Sequence, residues 1–160
     1  MSYLYNKNID NLNNEDIIDL IENQVFEDEN LEYKREININ QKKFKRDFLK
    51  EVCAFCNGDG GLLIYGIGEN EDKFPYIHGI DIENEDNQEL KLRSFINHHL
   101  DPRPIPHIDI KYLKVDENNI LLIKVSKCFN GPVRRRINSD KTGDFYIRHG
   151  NESVHMTIDE

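Results

Sequence analysis

Apolar and polar positions along the chain change period several times, and each change marks an element. In residues 14–23, NEDIIDLIEN, Ile17, Leu20 and Ile21 recur at helical spacing behind an acidic first turn. This predicts a short helix with Asn14 as its cap. In LEYKREINI (31–39) the period drops to two. Leu31, Tyr33 and Arg35 face one way; Glu32, Lys34 and Glu36 face the other. A half-buried strand has this pattern, fading near Glu36. Over 41–56 the helical period returns through Phe44, Phe48, Val52 and Phe55 or Cys56, with lysines and Arg46 on the remaining surface. Asn57-Gly58 is expected to end that helix, Gly58 taking the left-handed conformation. LLIYGI (62–67) is continuously apolar and reads as a buried strand.

Asp86, with Glu89 three residues on, has the spacing of a capping box. The helix it opens carries Leu92, Phe95, Ile96 and Leu100 inward and stops before Pro102. DPRPIP (101–106) must run extended, because proline fixes its own φ and restricts the residue before it. HIDIKYLKV (107–115) and ILLIKVS (120–126) flank the polar DENN and predict a hairpin. RRRIN and FYIRHG flank SDKTGD (139–144) and predict a second one. The order α, β, α, β, α and then mostly β implies an α+β fold. The expected architecture is a single layered domain, a mixed sheet with helices on one side. Residues 1–25 read as an acidic N-terminal arm with a short helix, and 26–160 as the domain.

Charge sharpens that division. The 160 residues carry a net charge of −9. Residues 1–33 hold one basic residue, Lys7, and nine acidic ones, whereas the other 127 hold 20 basic and 21 acidic. The acidity belongs to the arm, and the near-neutral body is left with local basic clusters that suit a polyanion. Three cysteines and no secretory segment at Met1 point to a reducing compartment, so a cytoplasmic location is expected. No apolar run reaches the roughly 20 residues of a membrane helix, and no membrane partner is expected. Cys53 and Cys56 lie inside a helix with only Cys128 besides them; they read as core, and no zinc is expected.

Three glycines, Gly58, Gly60 and Gly61, crowd the four residues GDGG (58–61). No G-x-x-x-x-G-K-[ST] run occurs. A dinucleotide fingerprint needs strand, glycines, then helix. Here the helix comes first, so phosphates would lose the helix N-terminus that attracts them. The glycines therefore read as a tight corner between helix and strand.

In this order, N-G-x-G-G, an apolar strand and G-I-G resemble the helix–GG–strand block of the Schlafen AlbA_2 domain family. ENLEYK (29–34) resembles that family's N-terminal E-x-K strand, and FYIRHGNES (145–153) its C-terminal Y-I-R-x-G-S block. HGI (78–80) and GPV (131–133) fit between them. The resemblance spans about residues 12–158. It implies a Schlafen AlbA_2-like fold that binds nucleic acid, RNA (transfer RNA included) or DNA. In vertebrate Schlafens two such lobes form a clamp for structured RNA, which implies a homodimer for a chain with one lobe. Some members cut transfer RNA with three carboxylates.

The candidate chemistry follows in two groups. Glu32 and Lys34 share a strand face, about 6.7 Å apart along it. The resemblance adds Glu27, five residues before Glu32, and Glu69 after the GG strand, although Gly68 stands where an acid is most expected. Glu27, Glu32 and Glu69 are thus the candidate catalytic and metal-binding acids. Two carboxylates 4 Å apart repel by about 4 kcal/mol at an effective dielectric of 20. A cluster needs a cation, and Mg²⁺ or Mn²⁺ suits oxygen donors. The second group is basic: Lys34, Lys42, Lys43, Arg46, Arg134, Arg135, Arg136 and Arg148 are the candidate nucleic-acid contacts. Two functions stay open: a binder with metal-dependent endoribonuclease activity, and a non-catalytic regulatory or assembly domain that binds DNA or a protein partner.

Overall fold

The computed structural model describes residues 3–101, 107–129, 132–136 and 143–156. The extended run 102–106, Gly131 of the proline loop and most of the SDKTGD turn lie outside the described residues.

The chain opens with α1 (Tyr3–Asn6), a single 3-10 turn (Ile9–Asn11) and α2 (Asn14–Glu22). The cap of α2 is Asn13, not Asn14. The Asn13 side chain accepts the Asp16 N–H at 3.2 Å, and the Asp16 carboxylate accepts the Asn13 N–H at 3.0 Å. Asn14 sits inside the helix and donates to the Lys114 carbonyl instead. Then come β1 (Leu31–Lys34), α3 (Lys42–Asn57), β2 (Gly61–Tyr65), β3 (Ile67–Glu69) and β4 (Pro75–Ile77). α4 (Glu85–His99) follows, capped by Asn84 rather than Asp86, since the Asn84 side chain accepts the Asn87 N–H at 3.0 Å. β5 (Leu100–Asp101), β6 (Ile108–Val115), β7 (Asn118–Val125), β8 (Arg134–Arg136), β9 (Gly143–His149) and β10 (Glu152–His155) complete the order. Among the described residues no helix is long and apolar enough to cross a membrane.

The main sheet has the order β1-β2-β7-β6. β1 runs parallel to β2, and the β2–β7 and β7–β6 pairs are antiparallel, so the sheet is mixed. A parallel pair needs a crossover, and α3 supplies it. A second, antiparallel sheet has the order β10-β9-β8-β5. Both expected hairpin pairings, β6 with β7 and β8 with β9, are present.

Strand alternation sorts the apolar residues into two cores. Leu63, Tyr65, Leu121, Ile123 and Val125 face α3 and α4, together with Val133 just before β8 and Tyr146 of β9. Burying Phe48 and Phe55 of α3 there stabilises the fold by about 1.5–3 kcal/mol each. These two helices are the expected layer on one side. Leu62, Ile64 and Leu122 point to the opposite face, where Leu4, Ile9, Leu12, Ile17 and Leu20 cover them. The N-terminal segment is thus a further layer of the fold. Lys111 and Lys124 tie it down by donating to its carbonyls: Lys111 at 2.7 Å to Leu12, Lys124 at 2.8 Å to Lys7.

Gly58 does follow the last turn of α3, but with φ −89 rather than in the left-handed region. The left-handed residue is Gly60, φ +82, whose N–H reaches back to the Phe55 carbonyl at 2.8 Å. A Cβ on Gly61 would lie 2.1 Å from the Phe55 ring. The glycines let helix and strand pack against each other, as a corner requires.

Candidate functional site

The period-two reading of β1 puts Glu32 and Lys34 on the face that looks at α3. There they meet Glu51 of α3 and Arg148 of β9. The Arg148 guanidinium donates to Glu32 at 2.5 Å and to Glu51 at 3.0 Å. It also donates to the carbonyls of Asp28 and Leu31 at 3.1 and 3.3 Å. Ser153 of β10, opposite Arg148 in the ladder, donates to the same Glu51 oxygen at 2.8 Å. Lys34 closes the ring from the outside, 3.4 Å from Glu32 and 4.0 Å from Glu51. Burial alone would push the Lys34 pKa down; Glu51 and Glu32 outweigh it and hold it above its usual value. Burial first, and Glu32 next, raise Glu51.

Glu27 and Glu69 stand on the rim of this network. Asp28 and Leu31 exchange backbone hydrogen bonds, which bends 28–31 tightly. The bend carries Glu27 back to accept the Tyr33 N–H at 2.8 Å. Burial and the neighbouring Glu32 push the Glu27 carboxyl up to about 7, and Glu69 adds to the rise. The three acids from the sequence therefore share one electrostatic neighbourhood. Among the described residues no three of His, Cys, Asp and Glu are grouped to hold an ion. Glu32 faces Arg148 and Lys34 instead, whose positive charge compensates it in this arrangement.

Expected on a phosphate, Arg148 is 7% exposed and held between two carboxylates. Glu51 and Ser153 were missed. Glu51 carried a signal, since it falls between Phe48 and Phe55 on the apolar stripe of α3, where a carboxylate needs a partner. Ser153 carried none, because only the β9–β10 register brings it in.

The remaining basic candidates lie on a second surface. Arg135 of β8 donates to the Arg46 carbonyl at 3.3 Å and lies 5.3 Å over the Tyr146 ring. Lys50 lies 5.4 Å over the same ring. Lys43, Arg46 and Lys50 share one stripe of α3 by their spacing. Arg134 and Arg136 alternate to the other side of β8, where both pair with Asp101, at 3.6 and 3.3 Å. Arg136 also donates to the His98 carbonyl. Burial, then Lys45 and Arg136, hold His99 below its usual pKa, so these cations converge there too. Lys42 and Lys43 are exposed at the start of α3.

Such an α+β arrangement, a mixed sheet backed by a crossover helix and closed by a second sheet, has known counterparts. A family model described as Schlafen, AlbA_2 matches residues 27–157. The chain belongs to the Schlafen AlbA_2 family. No curated protein matches it. Two solved structures share its fold. The DIP2311 protein of Corynebacterium diphtheriae gives a TM-score of 0.54 at 19% identity, with 80% of this chain and 22% of that one covered. The N-terminal domain of a Nitrosomonas europaea protein, named for its relation to the ATP-dependent DNA helicase RecG, gives 0.52 at 20% identity. There 82% of this chain and 92% of the other are covered. The chain thus spans about a fifth of the corynebacterial protein.

Proposed function

We propose that the chain binds RNA or DNA through the basic face of α3 and β8. The observation that carries this reading is the pair of cations over the Tyr146 ring, Arg135 of β8 and Lys50 of α3, with Arg135 also donating to the Arg46 carbonyl. Family membership supports it, as does the helicase relation in the name of the Nitrosomonas protein. Phosphate contacts of this kind release counterions, so affinity should fall steeply between about 50 and 200 mM salt. The test is fluorescence anisotropy with transfer RNA and with duplex DNA. Arg46→Glu combined with Arg135→Glu is expected to lower affinity at least about tenfold and to flatten the salt slope. Unchanged affinity in that pair refutes the face. Two lobes related by a two-fold axis would extend it into a clamp; a monomer mass by light scattering at high micromolar concentration overturns that part.

A second reading, endoribonuclease activity at Glu27, Glu32 and Glu69, is favoured by one observation. A carboxyl near pH 7, as Glu27 has, is poised to give or take a proton at neutrality. Mg²⁺ or Mn²⁺ is the cofactor the oxygens suit, although Glu32 is held by Arg148 in the arrangement described. Incubation of transfer RNA with Mn²⁺ or with chelator separates the readings. Cleavage by the wild type that Glu27→Gln abolishes, with binding kept, supports the enzyme. Intact RNA in every arm leaves a non-catalytic binder.

A further inference from the structure

A cleft of about 570 Å³ opens between residues 37–41, which join β1 to α3, and the segment 81–91 that begins α4. The network around Arg148 does not use it. Its walls have two chemistries. Ile37 and Ile39 on one side and Leu90 on the other are apolar, and Leu90 is 68% exposed, too much for a core residue. Between them stand the carboxamides of Asn38, Gln41 and Asn87, whose side chains have no hydrogen-bond partner among the described residues. Apolar walls with unengaged amide edges fit a flat heterocycle that offers both donors and acceptors.

The two ends of the cleft differ in charge. At the α3 end Lys91 reaches Asn40 at 3.0 Å, and Lys42 and Lys43 occupy the first turn of α3. That turn carries no acid, and Gln41 makes no side-chain bond to it, so the backbone N–H groups keep their preference for an anion. At the α4 end Asp81 and Glu83 line the wall. They repel phosphate and accept hydrogen bonds from amino groups. A nucleotide has this same polarity, an anion at one end and an edge of ring donors at the other.

We propose that the cleft holds one unpaired nucleotide of a bound strand, phosphate toward Lys91 and the first turn of α3 and base between Ile37, Ile39 and Leu90. The inference rests on the nucleic-acid reading and adds a preference to it. Because Asp81 and Glu83 accept, bases with an exocyclic amino group (adenine, cytosine, guanine) are preferred over uracil, which has none. The site is separate from the Arg46, Lys50 and Arg135 part of the α3–β8 face, which tracks phosphates without reading bases.

The test is amide NMR of the full chain titrated with AMP, CMP, GMP, UMP and inorganic phosphate, beside anisotropy with single-stranded oligonucleotides. The expected result is shifts confined to residues 37–43 and 81–91, with UMP at least threefold weaker than the other three nucleotides. Asn87→Leu and Leu90→Glu, both at exposed positions, should remove those shifts and lower affinity for an amino-bearing oligonucleotide about threefold or more. Arg46→Glu with Arg135→Glu should leave the mononucleotide shifts intact. Equal shifts from inorganic phosphate alone, or from UMP and AMP, overturn the base pocket. If the oligonucleotide binds and the cleft variants change nothing, the cleft is wrong and the basic face stands. If mononucleotides shift the cleft but no oligonucleotide binds, the cleft stands as a free-nucleotide site and the strand-binding reading falls.

Discussion

Arg135 and Arg148 are both arginines of the second sheet, both beside α3, and both stacked on an aromatic ring, Tyr146 for one and Phe55 for the other. Tyr146 and Arg148 even share a face of β9, about 6.7 Å apart along the strand. Their surroundings differ. Arg148 is enclosed and meets Glu32 and Glu51; Arg135 is half-buried and meets a hydroxyl, a carbonyl and the ring. An enclosed guanidinium must be neutralised locally, because leaving it unpaired out of water costs several kcal/mol. A half-buried one keeps part of its hydration and its outward field. The first sort of charge organises the interior, and the second keeps part of its surface toward solvent.

That contrast can be broken most sharply at Arg148. Arg148→Met leaves Glu32 and Glu51 enclosed without their cation and is expected to cost about 3–5 kcal/mol in urea unfolding. Arg135→Met should cost about 1 kcal/mol or less. Adding Glu51→Gln to Arg148→Met should recover part of the loss, since much of the cost is an unpaired carboxylate. Equal losses at the two arginines would erase the distinction.

A smaller effect comes from Glu27. Its folded carboxyl keeps its proton up to about 7, whereas an unfolded glutamate releases it near about 4.3. Between these values the folded state binds more protons, so this group makes stability fall as pH rises through that window. Glu27→Gln should therefore flatten the fall and stabilise the protein at pH 8, by about 1 kcal/mol after solvent screening. Urea midpoints at pH 5 and pH 8 check it. The smallest effect is expected at Arg46, whose exposed pair with Asp47 spans 3.9 Å. Arg46→Ala should change stability by under about 0.5 kcal/mol while still weakening nucleic-acid binding.

Local pattern made much of the fold legible. Alternation in LEYK placed Glu32 and Lys34 on one face, and the run ILLIKV flanked by DENN announced the β6–β7 hairpin. The helix caps were misread by one or two positions because Asn13 and Asn14, or Asn84 and Asp86, are equally good acceptors in sequence. The N-terminal segment was read by its charge, yet Leu4, Ile9 and Leu12 cover the sheet from elements too short to show a period. Of the two partners of Glu32, Lys34 was legible and Arg148 was not. The latter lies 116 residues away, and nothing local in YIRHG says whether its arginine faces water or carboxylates.

That separation also sets an order of assembly. The contacts of Arg148 reach back 97 residues to Glu51, 116 to Glu32 and 120 to the Asp28 carbonyl. Contacts so distant in the chain are slow to form, because the intervening loop must first lose its freedom. As the chain is synthesised, the residues of β1, α3 and β2 precede Arg148, the main cation of Glu32 and Glu51. Lys34, which pairs with both carboxylates, is made before β9. The amino-terminal half is therefore a waiting half, with its charge balance completed only by a strand made much later.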